Sequence, residues 1–176
     1  DVLDVRDVQD LVDGLDVASL GELKVVLDTG MDPARISFAG PGKRSLELAA
    51  AIAAGITINL ESAGELEMAA RLGREQGRKP RVAVRVNPDF ELRASGMKMG
   101  GGPKPFGVDA EQVPTLLRRI GQLELDFQGF HIFAGSQNLR VTAIVEAHDH
   151  TFDLALRLAA DAPEPVRVLN IGGGFG

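Results

Sequence analysis

Short apolar runs alternate with longer amphipathic stretches along the whole chain, and this alternation restricts the fold more than any other feature. Leu15-Asp-Val-Ala18 precedes a helical stretch from Gly21 to Leu27, and Ile36-Ser-Phe-Ala39 precedes another from Ser45 to Ala54. Ser45 is expected as an N-cap and Gly55 as the residue that ends that helix. Ile56 to Leu60 follows as a strand, and Ser62 with Glu65 three residues on forms the capping-box signature of the next helix. Arg81 to Val86 is a strand stopped by Asn87-Pro88. Asp109 is expected to open a helix through Ile120, with a strand from Leu125 to Ile132, a helix from Thr142 to Ala160 and a last strand from Val166 to Ile171. Strand–helix alternation of this kind implies parallel strands joined by crossover helices. A doubly wound sheet and a (β/α)8 barrel both satisfy it, and both place the ligand site at the carboxyl ends of the strands. The polar residues at those ends are Ser19, Gly40 to Lys43, Glu61, Asn87, His131 to Gln137 and Gly172 to Gly176. Five or six such units are too few for a closed eight-stranded barrel, and Gly176 directly follows a strand, so a longer parent chain is expected.

Composition narrows the function classes. A length of 176 residues suits one domain. Nineteen basic and 25 acidic residues give a net charge of −6, and no basic block is present. That balance argues against nucleic-acid and anionic-membrane partners. Cysteine is absent, which removes disulfides and thiolate metal sites. No apolar run reaches the roughly 20 residues of a membrane span, and no leader pattern is visible, so a cytoplasmic setting is expected. Tyrosine and tryptophan are also absent, so the core must be aliphatic and no phenol can act as acid or base.

Several constellations could carry chemistry. Val168 to Gly176 is an apolar strand entering a glycine-rich turn, which suits either convergence of backbone N–H groups on a phosphate or an ordinary turn. Phe38 to Ser45 approximates a P-loop but has Ser37 where the first glycine belongs, so ATP is not expected. His131 ends a strand beside Gly135-Ser136, well placed to stack on a ligand or donate a proton. Arg85 ends another strand, where it could pair an anionic oxygen or face a helix. His148 and His150 are two residues apart on a helix and do not share a face, so they are expected on the surface. The aspartates at 1, 4, 7, 10, 13 and 16 drift around a helix and are expected as a solvated segment rather than a metal site. Residues 88–107 form a long loop that either covers a ligand or is unstructured.

Taken together, these residues resemble the pyridoxal-phosphate-dependent ornithine/diaminopimelate/arginine decarboxylase family, enzymes of the alanine racemase-type barrel. The matching pieces are Leu15 to Leu23, Phe38 to Lys43, Asn59 to Leu66, Arg85-Val-Asn-Pro88, Ser95-Gly-Met-Lys98 with Lys104 to Gly107, Gly129 to Ile132 with Gly135-Ser-Gln137, and Ile171 to Phe175. The resemblance implies an α/β fold, a partial (β/α)8 TIM barrel over residues 11–176, with residues 1–10 unassigned and the family's C-terminal β-domain absent. It implies pyridoxal 5'-phosphate as cofactor. Gly172, Gly173 and Gly174 with Ser136 would hold its phosphate, His131 would stack on its ring as the catalytic candidate, and Arg85 and Asp16 would line its other edge. The implied reaction is loss of an amino acid's α-carboxylate as CO2 through an external aldimine. A homodimer and a small amino-acid substrate are implied as partners.

This chain departs from the family in two ways. The family's Schiff-base lysine lies in a Tyr/Phe-Ala-x-Lys-Ala-Asn motif before the Asp-Val-Ala-Ser segment, whereas the first lysine here is Lys24. The chain as written is therefore expected to be inactive, with activity belonging to its parent. The Ser95 to Lys98 loop favours the diaminopimelate-like branch. The spacing from His131 to Gly135-Ser136 is two residues longer than the common form, which points to a specialised branch that includes carrier-linked substrates. Racemisation on the same barrel, a cofactor carrier without turnover, and a phosphate-binding barrel for a sugar or nucleotide are the alternatives.

Overall fold

A computed structural model of the chain describes residues 11–90, 106–133 and 140–172. In chain order the elements are β1 (Leu15–Val17), α1 (Leu20–Asp28), a 3-10 turn (Pro33–Arg35), β2 (Ile36–Phe38), α2 (Ser45–Ala54), β3 (Thr57–Leu60), α3 (Ala63–Gln76), β4 (Arg81–Asn87), β5 (Val108–Asp109), α4 (Val113–Gln122), β6 (Asp126–Ile132), α5 (Val141–Ala159) and β7 (Val168–Asn170). The strands pair in the order β1-β2-β3-β4-β6-β7, with β5 added beside β4, and every described pairing is parallel.

One hydrogen bond decides between the two architectures. Asn170 on β7 donates from Nδ2 to Asp16 Oδ2 on β1 at 2.7 Å. Five strand spacings of ~4.8 Å would hold those strands about 24 Å apart in a flat sheet. The sheet therefore curls until its first and last strands face one another, as in a (β/α)8 barrel, and a doubly wound sheet is excluded. Hydrophobic side chains on the outer face, including Phe38, Ile58, Leu60, Val82, Val84, Phe127 and Phe130, pack beneath the helices with Leu48, Leu66, Leu117, Ile120 and Leu154, so the expectation of an aliphatic core is corrected by three fully buried phenylalanines. The inner face is more polar and encloses a cavity of about 480 Å³ lined by Asp16, Ser37, Asn59, Gln128 and Asn170 among others.

Local starts and stops follow from a few side chains. Ser19 Oγ accepts from Glu22 N at 3.2 Å, and Glu22 Oε2 accepts from Ala18 N at 2.6 Å. Gly55 ends α2 at φ +77, the left-handed conformation that glycine adopts without strain. Three expectations are corrected. Ser45 is the first helical residue of α2 rather than its cap, because Glu47 Oε2 accepts the Arg44 N–H at 3.0 Å and moves the cap one residue earlier. Asp109 does not open a helix. It pairs in register with Asn87, and its Oδ1 accepts from Asn87 Nδ2 at 2.6 Å, so α4 begins at Val113. Pro114, in the first turn of α4, is the sequence signal that marks the true start. The capping box of α3 is only half formed. Ser62 Oγ accepts from Glu65 N at 3.1 Å, but Glu65 Oε2 accepts from Glu61 N at 2.8 Å, one residue before the cap.

Candidate functional site

Strand register brings two of the expected polar residues, and an asparagine beside them, into one rank at the carboxyl rim. Arg85 on β4 is the register partner of His131 on β6, and His131 is the partner of Asn170 on β7. His131 faces inward because β6 is irregular. Val82 pairs with Phe127 but Ala83 pairs with Gly129, so Gln128 is an extra residue. A regular strand would place residues 127 and 131 on the same face. The bulge reverses that parity, leaving Phe127 and Phe130 outward with rings edge to face at 5.5 Å and turning the imidazole inside.

Asp16 enters the same region through a chain of side-chain hydrogen bonds. Asn59 Nδ2 donates to Ser37 Oγ at 2.9 Å, the Ser37 hydroxyl donates to Asp16 Oδ1, and Asp16 Oδ2 accepts from Asn170. Asn170 continues the chain, since its Oδ1 accepts from Gly172 N at 2.8 Å. Gly172 has φ +75, and a side chain there would overlap the Phe133 ring at the exit of β6. The start of the glycine turn and the imidazole strand therefore share one rim. The Gly172 amide is engaged by Asn170, so this residue's part is the turn itself. Asn170 went unassigned in the sequence, although a polar residue in the otherwise apolar run from Val168 to Ile171 was the available signal.

Arg85 is held on the opposite side by Glu61, whose Oε1 accepts from Arg85 Nη1 at 3.0 Å. Its guanidinium also lies over the Phe106 ring, 5.2 Å from the centroid. Behind Glu61, Lys43 Nζ pairs with Glu65 Oε1 at 2.9 Å, with the two side chains 1% and 8% exposed. Burial pushes the Glu65 carboxyl above its usual range, against the pull of Lys43. Ser136, Gly173 and Gly174, the segment 1–10 and most of the 88–107 loop lie outside the described residues.

The imidazole of His131 is buried, and among the described residues its Nδ1 has no hydrogen-bond partner. Buried polar nitrogens are nearly always hydrogen-bonded, so Nδ1 is open to a partner beyond the described residues or to a bound group. It sits beside a guanidinium and a glycine turn, a donor set that fits a flat anionic cofactor. Burial and then Arg85 hold His131 below the ordinary imidazole value, while Asp16 and Glu61 pull the other way. The unfolded chain therefore takes up this proton before the folded one. Stability should fall as pH drops through about 6.5, because the unfolded state binds more protons there. Urea midpoints compared at about pH 8 and about pH 5.5 should fall further for the native protein than for His131→Gln. Equal falls would show that the imidazole is not depressed.

His148 and His150 lie on α5, the first half-buried and the second exposed with its ring 5.2 Å from that of Phe90, and among the described residues no cluster of three or more His, Asp or Glu could hold a metal ion. No described helix is long and apolar enough to cross a membrane.

A curled parallel sheet with an imidazole, a guanidinium and a glycine turn at its carboxyl rim defines a (β/α)-barrel protein built to hold a small anionic ligand. Comparison with known proteins sharpens that class. The family described as pyridoxal-dependent decarboxylase, pyridoxal binding domain, matches residues 5–176. An L-glutamyl-[BtrI acyl-carrier protein] decarboxylase of Niallia circulans is 36% identical over 93% of this chain and 39% of its own length. The diaminopimelate decarboxylase of Pseudomonas aeruginosa is 33% identical over 93% of this chain and 40% of its own. The crystal structure of Helicobacter pylori diaminopimelate decarboxylase complexed with L-lysine superposes with a TM-score of 0.84 at 28% identity, covering 98% of this chain and 44% of that one. The chain belongs to the pyridoxal-dependent decarboxylase family, and pyridoxal phosphate is the cofactor of this domain. It spans about two fifths of the length of these two sequence relatives.

Proposed function

We propose that the complete protein carrying this barrel is a pyridoxal-phosphate-dependent decarboxylase of the diaminopimelate-like branch, removing the α-carboxylate of an amino acid that has a second polar end. The observation that carries this is the shared rim: Arg85, His131 and Asn170 in one register rank, with Gly172 bonded to Asn170. When bound, the cofactor supplies an electron sink for the carbon that loses CO2. The residues of this chain bind and orient it. His131 offers an apolar ring face and its unpartnered Nδ1. Arg85 would bring a fixed positive charge and Asp16 an oriented carboxylate to the cofactor's other edge. Gly172 begins the glycine turn, and Gly173, Gly174 and Ser136, outside the described residues, are the residues we propose would hold the phosphate. The glutamyl–carrier decarboxylase at 36% identity supports a carrier-linked amino acid as a second substrate class.

The test is CO2 release by the complete protein, loaded with pyridoxal phosphate, from diaminopimelate, other diamino acids and carrier-linked glutamate. Release from at least one supports the proposal. No release from any, with the cofactor demonstrably bound, overturns it. In the same preparation His131→Ala should weaken cofactor binding by about 1–3 kcal/mol, the worth of one stacked ring. Unchanged affinity would make His131 a structural residue.

A further inference from the structure

We infer that Glu61 is a positioning residue that sets the Arg85 guanidinium in the cofactor cradle and ties the flanking loops to it. This rests on the proposed place of Arg85 at the cofactor's edge. Glu61 follows β3, and its side chain is 3% exposed. Three donors from three separate segments converge on its two oxygens. Oε1 accepts from Arg85 Nη1 at 3.0 Å and from Gly40 N, after β2, at 2.6 Å. Oε2 accepts from Gly107 N, at the entry to β5, at 3.2 Å. A buried carboxylate so coordinated cannot turn without breaking several bonds at once.

The carboxylate is itself held from behind. Glu61 N donates to Glu65 Oε2 at 2.8 Å, Glu65 pairs with Lys43, and Lys43 Nζ donates to Gly40 O at 2.6 Å. Glu61 therefore grips the amide of Gly40 while Lys43 grips its carbonyl. The contacts form a closed ring through Glu61, Gly40, Lys43 and Glu65. Gly40 has φ +118, a conformation that a side-chain-bearing residue rarely adopts. The guanidinium is thus fixed by a carboxylate on one side and by Phe106 on the other, with the carboxylate anchored to the backbone of two loops. An amide could not replace it. Glutamine has one acceptor oxygen, and its NH2 would face either the Gly107 amide or the guanidinium, donor against donor.

The test is a double-mutant cycle in the complete protein, read as pyridoxal phosphate affinity by equilibrium titration of cofactor absorbance. Arg85→Ala and Glu61→Gln should each weaken binding about ten-fold, the worth of one charge-assisted contact. The double variant should bind no more weakly than Arg85→Ala alone, because Glu61 acts through Arg85. Glu61→Asp keeps the charge and should recover part of the affinity. Should Glu61→Gln fail to fold, the cycle is run with Glu61→Asp on the same criterion. Unchanged affinity in the Glu61 variant, or losses that multiply in the double variant, would overturn the inference while leaving the Arg85 assignment standing. Unchanged affinity in Arg85→Ala would remove that assignment, and the role of Glu61 with it.

Discussion

Replacing Lys43 with Met should destabilise the protein by about 3–5 kcal/mol, the cost of removing one partner from a buried ion pair. Methionine fills nearly the same volume, so the loss is electrostatic rather than steric. It leaves Glu65, 8% exposed, without its cation, and leaves the Gly40 carbonyl without its donor. The effect should depend on pH. The Glu65 carboxyl is already raised by burial, and without Lys43 it rises further. A carboxyl whose folded value is raised binds its proton more tightly folded than unfolded, so stability recovers as pH falls through that raised value. The penalty of Lys43→Met should therefore be larger in mildly alkaline than in mildly acidic urea titrations. Adding Glu65→Gln, which keeps an acceptor for Glu61 N but removes the stranded charge, should restore much of the loss. A single variant as stable as the native protein, or a double variant worse than the single, would show that the pair is not a buried electrostatic unit.

Much of this architecture was legible because periodicity depends on residues near one another in sequence. The helices and every strand but the two-residue β5 emerged from that signal within a few residues, and so did the placement of Glu61, Arg85, His131 and Gly172 at or near strand carboxyl ends. What escaped depends on register between distant segments. Lys43 stands at a strand end in the sequence, but its pairing with Glu65 escapes, because Glu65 lies on another βα unit and nothing local announces it. Asp109 resembled a helix cap until its partner Asn87 was known. The choice between an open sheet and a curled one turned on a bond between Asp16 and Asn170, at opposite ends of the chain. Facing also escaped: counting by twos from Phe127 puts His131 among the helices, and only the extra residue Gln128 turns it inward.

Gly129→Ala tests that register at its tightest point and should cost about 2–6 kcal/mol, summing overpacking and backbone strain. Gly129 has φ +149, and a Cβ there would overlap the Val168 carbonyl oxygen and lie 2.9 Å from the Val168 carbonyl carbon. Those are backbone atoms of the next strand, so no rotamer change relieves the clash and β7 must withdraw. Two residues further along, the same pair of strands brings Asn170 beside His131, so withdrawal would carry the Gly172 turn away from the imidazole. Cofactor affinity should fall even under conditions where the protein stays folded. Gly30→Ala separates strain from collision. Its φ is +86 with nothing within 4 Å of the added carbon, so it should lose only the strain portion, about 1–2 kcal/mol, and bind cofactor normally. Equal effects at the two glycines would mean that close approach of β6 and β7 is unimportant. A larger loss at Gly129, in both stability and affinity, ties the geometry of the rim to a β6–β7 contact with no room for a side chain.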